Sequence, residues 1–153
     1  MWSKIKILGL FLVIVVLVAT LAACGSPAVQ SNVVAERPSG PADKVQLVLF
    51  HFTQRCYTCN YAEAGIKYTL DNYFKDEQAS GKVTFAAYNI QDKKNAAVVK
   101  KYKAYGLSVY CNTVIGDAEY IEPVTNIWLA VGNDQAFVDA VVRLVETSLK
   151  GAS

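Results

Sequence analysis

The stretch Val45–Tyr61, VQLVLFHFTQRCYTCNY, constrains this chain more than any other. Val45 to Phe52 is a short run of aliphatic, β-branched and aromatic residues, the pattern of a buried strand. Beyond it, Ala62, Ile66, Leu70 and Tyr73 recur at steps of four, four and three, which is one face of a helix. Cys56-Tyr57-Thr58-Cys59 therefore falls where the strand hands over to the first helical turn. The unpaired N–H groups and the positive end of the helix dipole there favour a thiolate.

A CxxC pair also serves zinc ribbons and structural disulfides. A zinc ribbon needs a second pair at similar spacing, and only Cys111 follows, with no later histidine. Downstream, Ala79-Ser80-Gly81 breaks the helix that begins near Cys59 and runs to about Gln78. Lys82 to Asn89 alternates as a second strand, and a strand–helix–strand order implies a parallel, right-handed unit. Asp92 is placed to cap a helix from Lys93 to Tyr105, with Gly106 as its stop and lysines 93, 94, 100, 101 and 103 as a solvated face. Leu107–Ile115 and Ala118–Ile121 form a hairpin across Gly116-Asp117. A short helix within Pro123–Val131 carries Trp128, and Asp134–Leu149 closes the chain with Phe137, Val141, Leu144, Val145 and Leu149 on one face.

The order βαβ-α-ββ-α, with CxxC between the first strand and a long helix, resembles the thioredoxin superfamily over about Lys44 to Leu149. The resemblance implies an α/β minimal thioredoxin-like fold, a central mixed four-stranded sheet flanked by helices. It implies a thiol–disulfide oxidoreductase in which Cys56 is the exposed nucleophile and Cys59 the resolving thiol. Arg55 stands where its charge could lower the Cys56 pKa, or it is a plain loop residue. His51, the only histidine, reads as a hydrogen-bonded strand residue, with proton transfer to the resolving cysteine as its competing role.

The chain departs from the family in having Arg55 before the motif and Tyr57-Thr58 within it. It also has no proline before the third strand, since the four prolines are 27, 38, 41 and 123. Aligning Tyr105-Gly106-Leu107 with the family's segment puts Cys111 at the proline's position, with a trans bond expected. Cys111 is then either a buried strand cysteine or a third thiol near Cys56. In the latter case Cys56, Cys59 and Cys111 could hold copper, zinc or an iron–sulfur cluster, a metal-binding alternative to a catalytic site that needs no cofactor. A non-catalytic binding module with a structural CxxC disulfide is a third reading.

The amino terminus sets the address. Lys4 and Lys6 precede seventeen uncharged residues, Ile7–Ala23, which end Leu21-Ala22-Ala23-Cys24. Residues 1–23 read as a signal peptide, and Cys24 resembles the lipidated cysteine of bacterial lipoproteins; an uncleaved membrane helix is the alternative. Residues 24–43, with three of the four prolines, read as a lipidated cysteine and flexible linker, and 44–153 as the domain. The expected location is outside the cytoplasmic membrane, held by the lipid anchor. Expected partners are a protein thiol or disulfide substrate and a membrane thiol electron carrier. Without Lys4 and Lys6 the chain keeps thirteen basic and thirteen acidic residues, so no basic surface for nucleic acid is indicated.

Overall fold

A computed structural model describes residues 40–151. Residues 1–23, read above as a signal peptide, Cys24 and most of the expected linker lie outside the described residues. None of the described helices is long and apolar enough to cross a membrane.

The sheet is built on β1 (Lys44–His51), which pairs in parallel with β2 (Val83–Asn89) and antiparallel with β3 (Ser108–Ile115). β4 (Ala118–Pro123) adds antiparallel to β3, giving the order β2-β1-β3-β4. This is the expected mixed four-stranded, thioredoxin-like arrangement. β1 reads as continuous apolar sequence because both its faces are covered. Val45, Leu47 and Leu49 pack in one cluster with Ala62, Ile66 and Leu70 of α1 (Tyr57–Tyr73) and with Phe137, Val141 and Val145 of α4 (Asp134–Lys150). Val48 and Phe50 pack in a second cluster with Tyr102 and Ala104, at the end of α3 (Ala96–Tyr102), and with Tyr88 and Tyr110.

Local readings needed tertiary correction in three places. The helix after CxxC does not run unbroken to Gln78. It ends at Tyr73, and α2 (Lys75–Ala79) restarts after Phe74, which leaves helical torsion (φ −134°, ψ 34°) to bury its ring. The next helix is shorter than its periodicity predicts. Asp92 caps a 3-10 turn, Lys93–Asn95, and α3 stops at Lys103 (φ 51°) rather than at Gly106. Stopping there turns Ala104 into the core while the five lysines stay exposed. Finally, the domain begins before Lys44. Ala42 is buried and donates from its N–H to Leu149 O at 3.0 Å, and Asp43 Oδ2 accepts from Gly116 N–H at 2.7 Å. The last linker residues thus belong to the domain, bonded to β3 and to the end of α4.

The hairpin turns at Gly116, whose φ of 58° suits glycine. β4 runs on to Pro123, tolerated because β4 is an edge strand. A 3-10 turn, Asn126–Ala130, then drives Ile127 into the core, and Asn133 caps α4 by accepting from Ala136 N–H at 3.1 Å.

Candidate functional site

The site forms where β1 ends and α1 begins. Cys56 is itself the helix cap. It is extended (φ −101°, ψ 168°), and its Sγ accepts from the N–H of Cys59 at 3.3 Å. The nucleophile candidate thus takes a place usually held by a serine or aspartate oxygen. One turn on, Cys59 is buried, its sulfur 2.7 Å from Cys56 Sγ, and the two are not bonded as a disulfide.

This geometry separates the two thiols. Cys56 is held below the ordinary thiol range, first by the side-chain hydrogen bond from Cys59 and then by the Cys59 backbone N–H. Burial pushes Cys59 above that range, helped by its hydrogen bond to Cys56. The exposed sulfur is the readier thiolate of the two.

Arg55 does not act on the nucleophile as its position in the sequence invites. Its Nη2 forms an ion pair with Glu63 and reaches Cys59 O at 3.4 Å, and Glu63 also binds Lys67 at 2.7 Å. The charge is spent along the flank of α1, and what remains of it favours the Cys59 thiolate. His51 is half-buried at the end of β1. Its Nδ1–H donates to Phe52 O at 2.8 Å, so its hydrogen bond goes to its own loop and to neither sulfur.

Cys111 corrects the alignment above. It lies inside β3 opposite Leu47, buried, with its Sγ 3.4 Å from Ser148 Oγ. About 13 Å of strand separates that pair from the end of β1, beyond which the dithiol lies. β3 starts at Ser108, opposite Phe50, so Cys111 sits three residues into the strand and not in the loop before it. Cys111 is therefore neither a docking residue nor a third ligand. Among the described residues no group of three or more His, Cys, Asp or Glu is gathered as a metal would require, and none of their peptide bonds is cis.

Sequence reasoning missed two sets of neighbours. Asn89, the last residue of β2, and Gln91, just past it, clamp the loop before the motif. Asn89 Nδ2 donates to Thr53 Oγ1 at 2.8 Å, and Thr53 N–H donates to Gln91 Oε1 at 2.9 Å. Polar residues after a strand are too common to have marked this. The second set is aromatic. Tyr57, inside the motif, meets Tyr61 at 5.8 Å between ring centroids, and Tyr61 packs edge-on against Phe137 and donates to Asp134 Oδ1 at 2.7 Å. The spacing of Tyr57 and Tyr61 is visible in the sequence, but their α4 partners are not. Phe52, Tyr57, Tyr105 and Leu129 are exposed apolar side chains from four segments attached to this end of the sheet.

The fold and site together define a thioredoxin-like α/β domain bearing a dithiol at the mouth of a helix. No family model matches the chain, and no curated protein matches it. Among solved structures it is similar to one described as the structure of a malarial protein, at 12% identity and a TM-score of 0.43, covering 69% of this chain and 98% of that one. It is also similar to a thioredoxin from Thermus thermophilus, at 10% identity and a TM-score of 0.43, covering 69% of this chain and 76% of that one. The fold assignment itself rests on strand order and helix placement.

Proposed function

We propose that the protein is a thiol–disulfide oxidoreductase acting outside the cytoplasmic membrane, to which lipid on Cys24 tethers it. The observation that carries this is the unequal pair: an exposed, thiolate-favouring Cys56 capping the helix that buries Cys59.

In this reading the Cys56 thiolate attacks one sulfur of a substrate disulfide. A mixed disulfide forms, and the substrate's other sulfur leaves as a thiolate that takes up a proton. Cys59 then loses its proton and attacks Cys56 Sγ. The Cys56–Cys59 bond forms as the mixed disulfide breaks, and the second substrate thiol is released. The electron pair has passed from the protein dithiol to the substrate. A membrane thiol carrier restores the dithiol by the same exchange in reverse. The exposed ring of Tyr57, between the two cysteines, favours a polypeptide substrate over a small hydrophilic one.

The test is trapping with Cys59→Ser. A resolving thiol, once removed, leaves the substrate joined to Cys56 as a reducible adduct, and Cys56→Ser leaves none. A Cys56–Cys59 reduction potential below about −300 mV, together with no alkylation of Cys56, marks a structural bridge and overturns the reading.

A further inference from the structure

A groove of about 500 Å³ runs between α1 and α4, with Tyr61, two residues past Cys59, in its lining. Tyr61, Tyr68 and Tyr73 form one wall, Phe137 and Val138 the other, and Asp134 stands at the near end. We infer that this groove docks an extended segment of the substrate polypeptide, flanking its disulfide and carrying apolar side chains and a basic residue. The inference rests on the thiol–disulfide reading above.

Continuity is the first argument. Tyr57 sits between the two cysteines, 71% exposed, and touches Tyr61, the groove's first residue. A chain whose sulfur is joined to Cys56 passes over Tyr57 into the groove.

Dimension is the second. Tyr61 to Tyr73 spans about 18 Å of helix, which matches about five residues of extended chain. Tyr68 and Tyr73 are more than half exposed, so the groove is open along its length. Tyrosines give broad, rigid contact at low entropic cost, which suits varied polypeptide segments.

Charge is the third. Asp134 is the groove's one charged lining residue, and Tyr61 occupies only one of its carboxylate oxygens. Two nearby basic residues, Arg55 just before α1 and Lys67 within it, lie on a separate flank and are paired to Glu63. A basic side chain is therefore the complement of the groove mouth.

The test uses the full chain with chromogenic disulfides. The probes are dithionitrobenzoate and a short cysteine peptide joined to thionitrobenzoate and flanked by Leu, Phe and Lys, in one version with Glu for Lys. Preference is read as the ratio of peptide to small-disulfide second-order rate constants of the pre-reduced protein in a single turnover. Wild type should favour the Lys peptide over the Glu peptide by about fivefold, and Asp134→Lys should reverse that order. Tyr68→Ser, at an exposed position that threatens no folding, should lower the peptide ratio by about fivefold.

Ratios that do not differ between peptides or variants overturn the groove while leaving the oxidoreductase reading intact. Failure of wild type to turn over any probe overturns that reading, and the groove with it. Dimerisation abolished by Tyr68→Ser, with peptide ratios unmoved, assigns the groove to a second copy and overturns the proposal.

Discussion

The backbone N–H of Cys59 donates to the sulfur of Cys56 at 3.3 Å, so one cysteine of the pair caps the helix that buries the other. Local geometry alone thus makes two chemically similar thiols unequal, and their order of reaction follows from it.

The pH dependence of alkylation reports that inequality. The rate of Cys56 with iodoacetamide should inflect below the ordinary thiol value of about 8.5. The Cys59 side-chain hydrogen bond is the leading cause, so Cys59→Ala should move the inflection upward, while Cys59→Ser, which keeps a donor, should move it less. An inflection unchanged in Cys59→Ala refutes this assignment.

Glu63 holds both Arg55 and Lys67, and its pKa is lowered chiefly by the Lys67 hydrogen bond. A depressed carboxyl pKa contributes stability above its unfolded value of about 4.3, lost as pH falls through the folded value. Glu63→Gln should cost about 0.5–1 kcal/mol at neutral pH in urea unfolding. The gap to wild type should close in acid, and a pH-independent gap contradicts the ion-pair account.

A Cβ at Gly65 would stand 2.7 Å from the Phe137 ring, so α1 and α4 meet too closely there for any side chain. Gly65→Ala gains helix propensity, yet overpacking should dominate and destabilise by about 1–3 kcal/mol. Adding Phe137→Leu should recover part of the loss in thermal unfolding. Additive losses in the double variant speak against contact.

Cys111→Ala should leave the Cys56 alkylation rate unchanged and, added to Cys59→Ser, should leave mixed-disulfide trapping unchanged, because Cys111 lies inside the sheet opposite Leu47. Its effect should fall on stability, at about 1 kcal/mol for a small buried truncation. Loss of trapping in this variant shows that a third thiol takes part.

Lipidation is testable apart from chemistry. Replacing Cys24 with serine should stop incorporation of labelled palmitate and move the protein from the membrane fraction to the soluble one. Retention of the serine variant in membranes favours an uncleaved helix.

The sequence by itself determined the elements that local pattern encodes. These are the buried β1, the helix face of Ala62, Ile66 and Leu70, the cysteine pair at their junction, and the order of the elements. Strand alternation and helical periodicity are properties of neighbours in the chain, so they can be read from it. What only the tertiary structure decided are meetings between distant residues. Tyr61 and Asp134 are 73 positions apart, and Asn89 clamps Thr53 from across the sheet. Phe74 and Lys103 interrupt helices without a proline or glycine, because burying Phe74 and Ala104 outweighs continued helical bonding. Cys111 shows the difference most clearly. Its distance from Cys56 depends on the β1–β3 register, which no local pattern specifies.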